Sequence, residues 1–277
     1  MKVESGTAVF FAGAILICAA LFFAVSSDAR APMQLKIGRD EAKVTVLEGS
    51  ARIMPDGKSA WQPLKTGGAL QGGDQVSVEA KSRMEIRLAD QSVIRFAENT
   101  RFRIVKIDVS EGSGARTASV NMVLGKTWAN VSKGLGARPN YEISSRNAVC
   151  GVRGTLYRMN VEENQSVLVR VYEGEVSVSG APKGAELTGV KGPPAKVSGP
   201  VSVPGPKPVA MEEWIYIVKS MQQIRIGGDG IPQNPESFTE AEDRDAWVDW
   251  NRARDQASDL PASSEDHGKN GWLDWFE

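Results

Sequence analysis

Apolar and polar residues alternate with a period of two through most of the middle of the chain. Val44-Thr-Val-Leu47 opens the pattern. Met84, Ile86 and Leu88 then share one face; Ile94 and Phe96 follow after the Asp90-Gln-Ser turn, and Phe102 with Ile104 and Ile107 with Val109 continue it. Successive side chains of a strand point to opposite faces, so this period, punctuated by Gly, Asp and Asn, predicts a series of short strands. No helical period of comparable length interrupts it between Lys43 and Gly180. A loose internal repeat runs through the same region. Val44-Thr-Val-Leu-Glu-Gly-Ser-Ala-Arg-Ile53, Asn121-Met-Val-Leu-Gly-Lys-Thr-Trp-Ala-Asn-Val131 and Leu168-Val-Arg-Val-Tyr-Glu-Gly-Glu-Val-Ser-Val178 each read as strand, glycine, strand. Glycine lets the chain bend sharply where one strand hands over to the next. The spacing is irregular, so the expected fold is mainly β, a solenoid-like or rolled stack of short strands turning through similar corners.

The two ends follow other patterns. Thr7 to Val25 is an unbroken apolar run, long enough to span a bilayer core. Residues 1–30 are therefore expected to form a membrane anchor, with a cleaved signal as the alternative, because Ala29-Arg30-Ala31 has the shape of a cleavage site although Pro32 follows it. The expected location is the inner membrane, single-pass, with the main body in the periplasm; cleavage would instead leave the body soluble in the periplasm. Residues 43–180 are the expected β domain. Residues 181–207 hold a large share of the prolines and read as a semi-rigid Pro/Gly-rich linker, with Ala195-Lys-Val-Ser as one short strand within it. Residues 208–277 read as a small helical tail. Its first helix is expected from Pro208 to Gly227-Gly228, with Met211, Trp214, Ile215, Val218 and Met221 as its apolar stripe. Thr239-Glu-Ala-Glu242 is a capping box for a second helix running to about Ala257, with Trp247 and Trp250 on one face.

Charge refines this division. From Lys36 to Lys207 there are 25 Lys/Arg against 17 Asp/Glu; from Pro208 to Glu277 there are 6 against 15. A basic body with an acidic tail fits either a tail that docks on the body or a body that faces an acidic surface. The near-zero net charge argues against a nucleic-acid partner. Five of the seven tryptophans lie after Pro208, and so many large rings need burial in this fold or in a partner; Trp247, Trp250, Trp272 and Trp275 are candidate partner contacts.

Candidate chemistry is sparse. The one histidine, His267, sits in a polar stretch near the end, which leaves no usual His/Cys metal set and no convincing catalytic triad. No phosphate-binding glycine loop precedes a helix in a βα unit. Cys18 lies in the apolar run, and Cys150 is read as a buried core thiol. Asp74, Asp90 and Asp108 are each placed at turns, where Asp serves local hydrogen bonds. No cofactor is expected. The unusual stretch is Cys150-Gly-Val-Arg-Gly-Thr155, two glycines around one arginine inside strand-like sequence. It predicts a corner built by Gly151, Gly154 and Thr155, and Gly174 of the later Tyr-Glu-Gly is a further candidate structural glycine. Arg153 there is read either as a structural cation, on backbone carbonyls or on Asp74 or Glu173, or as a contact for an acidic partner.

The run from Lys43 to about Gly180 resembles the FecR domain family of bacterial envelope proteins. The matching features are Val46-Leu-Glu-Gly, Trp61-Gln-Pro-Leu, Leu70-Gln-Gly-Gly-Asp-Gln-Val-Ser-Val, Ile86-Arg-Leu-Ala-Asp-Gln-Ser-Val-Ile-Arg-Phe, Leu124-Gly-Lys-Thr-Trp, Val149-Cys-Gly-Val-Arg-Gly-Thr-Leu-Tyr and Val171-Tyr-Glu-Gly-Glu-Val-Ser-Val, in that order. The resemblance implies a β-rich domain on the periplasmic side of a single anchor, which in its best-known members relays a signal from an outer-membrane iron transporter to a cytoplasmic sigma factor. Those members carry a sigma-binding domain before the membrane segment, where this sequence has six residues. The expected function is a non-enzymatic envelope interaction module that binds a protein or glycan. The alternatives are a signalling component whose cytoplasmic part lies on another chain, and a polysaccharide-active enzyme.

Overall fold

The computed structural model describes residues 37–109, 116–133, 140–181 and 214–257. The expected membrane anchor, nearly all of the proline-rich stretch, Trp272 and Trp275 lie outside the described residues. Among the described residues no helix is long and apolar enough to cross a membrane.

The chain forms β1 (Glu41–Glu48), β2 (Ala51–Met54), β3 (Gln62–Leu64), β4 (Ala69–Gln71), β5 (Gln75–Val78), β6 (Arg83–Arg87), β7 (Val93–Phe96), β8 (Thr100–Val109), β9 (Arg116–Asn130), β10 (Asn140–Ser144), β11 (Val149–Val152), β12 (Leu156–Val161), β13 (Val167–Glu173), β14 (Glu175–Ser179), β15 (Ile215–Lys219), β16 (Gln222–Ile226), β17 (Glu236–Ser237) and one helix, α1 (Ala246–Ala257). The strand pairings sort these into two layers. The first runs β4-β1-β6-β7-β9-β12-β13-β16-β17, all antiparallel. The second runs β3-β2-β5-β8-β9-β10-β11-β14-β15, antiparallel except where β10 lies parallel to β9. Strand β9 belongs to both: residues up to Leu124 pair in the second layer, and residues from Gly125 onward pair in the first. The sheet does not close on itself.

The core lies between the layers. Of the alternating residues picked out in the sequence, Val44, Met84, Ile86, Leu88, Ile94, Phe96, Phe102, Ile104, Ile107 and Val109 are buried in it, while Val46 and Leu47 are only partly buried. Phe96 of the first layer stacks on Phe102 of the second, with ring centroids 3.7 Å apart. Cys150 is fully buried against Met159, sulfur to sulfur 3.9 Å, and burial pushes its thiol pKa up, as expected of an inert core cysteine.

The chain passes repeatedly from one layer to the other. Each crossing within the described residues carries a residue with positive φ: Gly49, Gly67, Gly73, Lys81, Asn99, Gly125, Gly154, Gly174 and Met221. A left-handed residue turns the backbone through a sharp corner that regular strand geometry cannot make. The glycines of the weak repeat, Gly49, Gly125 and Gly174, are thus the crossings themselves.

The tail differs from its sequence pattern. Residues 215–226 are not a helix but two strands, β15 and β16, joined by a tight corner at Met221 that crosses between the layers. Strand β15 continues the second layer beside β14 and β16 continues the first beside β13. Trp214, Val218 and Met221 satisfy a helical spacing, but the run Ile215-Tyr-Ile-Val218 is β-branched and aromatic, and two open sheet edges supply its hydrogen bonds. Tertiary pairing overrides the local period. Ser179 pairs with Ile215, so the strands on both sides of the proline-rich stretch are neighbours in one sheet and share one core. The Thr239–Glu242 capping box forms, with Thr239 N donating to Glu242 Oε2 (2.7 Å) and Glu242 N donating to Thr239 Oγ1 (3.3 Å), but it closes only a single turn. The helix starts later, capped by Asp245, whose Oδ1 accepts from Val248 N at 2.8 Å.

Candidate functional site

On the outer face of the first layer, polar residues stand directly opposite one another from strand to strand. Glu85 pairs with Arg95, Arg95 with Trp128, Trp128 with Arg158, Arg158 with Arg170, Arg170 with Gln223, and Gln223 with Glu236. One row of charges and an indole therefore crosses the sheet. Each member alternates with core residues on its own strand, as in Ile94-Arg-Phe96 and Tyr157-Arg-Met159, so strand geometry alone sends it outward. Yet Glu85, Arg95 and Trp128 have no solvent exposure. The cover is the segment from Phe238 to Ala257.

That segment reaches the row with one residue in four: Asp243, Trp247, Asn251 and Asp255. The Asp243 carboxylate accepts from Arg158, Arg170 and the Tyr172 hydroxyl. Asp255 Oδ1 pairs with Arg95 Nη1 at 2.7 Å, and its Oδ2 accepts from Trp128 Nε1 at 2.9 Å. Trp247 and Val248 enter an apolar patch with Ala97, Trp128, Tyr172 and Phe238. Trp128 and Tyr172 rings lie 4.6 Å apart, and the Arg170 guanidinium sits 5.2 Å from the Phe238 ring centroid. Trp250 stacks on Trp247 at 5.4 Å, donates to Glu48 at 3.1 Å and stays half-buried.

Electrostatics follow from this geometry. Burial alone would raise the Glu85 pKa, but hydrogen bonds from Thr45 (2.6 Å), Arg95 (2.8 Å) and Arg254 (3.1 Å) outweigh it and hold the carboxyl at about 2. Burial and the neighbouring Asp243 push the Tyr172 hydroxyl well up, so it remains a donor. A depressed carboxylate stabilises the fold above its unfolded pKa and loses that contribution as pH falls through its folded value. Stability is therefore expected to drop between pH 4.5 and 2, with Glu85 contributing roughly 3 kcal/mol. Chemical denaturation across that range should show a shallower pH dependence for Glu85→Gln than for the parent; equal slopes would place the acid sensitivity elsewhere.

The corner foreseen around residue 154 also forms. Gly154 has φ +59° and Gly174 φ +82°, and the two corners touch: a Cβ on Gly174 would lie 3.1 Å from Gly154 O. Thr155 Oγ1 donates its one proton to Glu175 O (3.0 Å), with Arg153 O also within reach (3.1 Å), tying one corner to the other. Gly151 is not part of it. It lies within β11, opposite Glu142 and Ser177, at ordinary φ with open space beside it. Arg153 is exposed, and Asp74 is engaged elsewhere, accepting from Asp56 N (3.0 Å) and Gln71 N (2.8 Å). Asp90 serves its turn through Ser92 N (3.0 Å) and also meets buried Arg116 and the Tyr141 hydroxyl. Asp108 is within β8 rather than a turn, paired with Arg39.

Sequence reading thus located the corner and two of the covering tryptophans, and missed Glu85, Arg95, Arg158, Arg170, Asp243 and Asp255. The available signal was an arginine at the centre of three apolar strands. Among the described residues no group of three His, Cys, Asp or Glu is arranged to hold a metal.

Residues 74–177 match the model of the FecR protein family. No curated protein matches the chain. Two crystal structures of a candidate anti-sigma factor from Parabacteroides distasonis are similar to it. One has 16% identity and a TM-score of 0.42, covering 63% of this chain and 64% of that one. The other has 16% identity and a TM-score of 0.40, covering 59% of each. The chain spans less than two thirds of the length of these relatives. The matched segment includes Glu85, Arg95, Trp128, Arg158 and Arg170, whereas Asp243 and Asp255 lie beyond it. The similarity to the FecR protein family thus covers residues 74–177 and includes most of the arginine row.

Proposed function

We propose that the chain is a regulatory interaction module of the cell envelope, held at the inner membrane with its body in the periplasm, and that it acts by binding a protein partner rather than by catalysis. The observation that carries this reading is the arginine row: within the FecR-like region, a sheet face is built to receive an acidic segment. Its arginines engage carboxylates through charge-assisted hydrogen bonds, the chemistry of protein recognition. The apolar run at residues 7–25 supports the location. A signalling role with the cytoplasmic part on another chain is the specific form that the FecR similarity favours.

Photo-crosslinking in cells tests the reading. Probes at exposed Arg153 and Trp61 and at half-buried Trp250 are expected to capture a defined envelope protein, and a reporter enzyme active only outside the cytoplasm, fused after Glu277, is expected to be active. Deletion of the chain should change the output of a sigma factor if the signalling form is right. Turnover of a polysaccharide by the purified chain would overturn the non-enzymatic reading.

A further inference from the structure

The covering segment is chemically unlike a simple structural lid. A helix that only shields a sheet presents an apolar stripe. Here the turn at Asp243 and the helix residues Trp247, Asn251 and Asp255 meet the sheet, an acid at each end, against Arg95, Arg158 and Arg170. Burying charges on both sides stabilises little compared with an apolar contact of the same size, but it selects strongly for a complementary charge pattern. The row is also incompletely satisfied. Asp243 is shared by two arginines, and Arg95 Nη2 and Arg158 Nε are buried with no hydrogen-bond acceptor among the described residues. Arg158 Nη1 has only a loose pairing with Asp245, at 3.9 Å. More donor capacity is on offer than the segment uses.

The attachment permits release. Helix α1 contributes no strand to either layer, and both layers are complete through β17 before it begins. Residues 239–242 between Phe238 and Asp243 are exposed. The segment can therefore leave without breaking a strand pairing of β1 to β16.

We propose that the arginine row is a docking surface for an acidic, tryptophan-bearing helix of a protein partner, and that residues 243–255 occupy it in cis until such a helix displaces them. This rests on the partner-binding reading above and names the surface, the partner chemistry and the regulation. The occupant carries Asp243 on the turn before α1 and Trp247, Asn251 and Asp255 on the helix itself, so a partner segment with a carboxylate just before a helix, an indole in its first turn and a carboxylate about two turns further on fits the same row. The tethered segment competes at high effective concentration, which keeps the surface closed to weak ligands.

A labelled peptide of residues 239–257 tests this on the full chain, kept in mild detergent because of the apolar run. Fluorescence polarisation should show binding to the Trp247→Ala chain about tenfold or more tighter than to the parent, because the cis competitor is weakened. Adding Arg158→Gln and Arg170→Gln should abolish it, and a scrambled peptide should not bind. Equal binding to parent and Trp247→Ala, or binding that survives loss of both arginines, overturns the proposal. If Trp247→Ala fails to fold, a chain with a protease site inserted between Glu240 and Ala241 replaces it. After cleavage the released segment should exchange for labelled peptide while the β body keeps its far-ultraviolet spectrum. A nicked segment that never exchanges, or a body that unfolds when it leaves, also overturns it. The two readings separate cleanly: peptide exchange without any partner captured in cells counts against the function, and a partner captured without peptide exchange counts against this surface alone.

Discussion

Asp243→Ala is expected to destabilise the protein by about 3–5 kcal/mol, the effect of removing one partner from a buried ion network. Asp243 is buried and takes hydrogen bonds from Arg158, Arg170 and Tyr172, so alanine takes the close counter-charge from two guanidinium groups and leaves Arg158 only the loose pairing with Asp245. The loss should concentrate in the cover: limited proteolysis should cut near residues 239–257 first, and Trp247 emission should shift to the red. Asp243→Asn retains one acceptor and should cost less. Replacing the set together, with Asp243→Leu, Arg158→Met and Arg170→Met, should recover most of the stability, since apolar side chains of similar volume avoid desolvation of charge. An Asp243→Ala chain that unfolds at the parent's denaturant midpoint would show the network contributes nothing.

Two glycines three residues apart should behave oppositely. Gly154→Val is expected to cost about 2–3 kcal/mol, because a β-branched residue is strained at φ +59° and its Cβ would sit 2.2 Å from Lys133 Cγ. The Lys133 side chain can move aside, so most of the cost comes from the backbone. The corner also carries the Thr155 tie to Glu175, which adds to the loss if the turn opens. Gly151→Val should be close to neutral, since nothing lies within 4 Å of its Cβ position and valine suits a strand. Thermal melts of the two variants decide the matter. A Gly154→Val chain that melts with the parent would mean the corner tolerates a right-handed alternative.

The strand content and much of the core were legible because alternation is a local property. Val44, Met84, Ile86, Ile94, Phe96, Phe102 and Ile104 needed only the period of two to be placed on an inner face, and the burial of Cys150 followed from its apolar neighbours. The glycine corners were legible for a related reason, since a glycine between strand-like runs marks a bend whatever lies around it. Residues 215–226 were not, because Trp214, Val218 and Met221 fit a helical period, and what made the segment two strands was a pair of sheet edges supplied by β13 and β14.

The arginine row marks the limit. Sequence by itself determined that this is a mainly β chain with layer-crossing glycine corners, a basic body and an acidic, tryptophan-rich end. It also set Arg95, Arg158 and Arg170 on outward faces of their strands, which for a single strand means solvent. Only the tertiary structure decided that these three stand in register and that Asp243 and Asp255, 73 to 160 residues away along the chain, close over them. The physical reason is that register and the docking of a helix are set by summed long-range packing and charge, which no local period encodes.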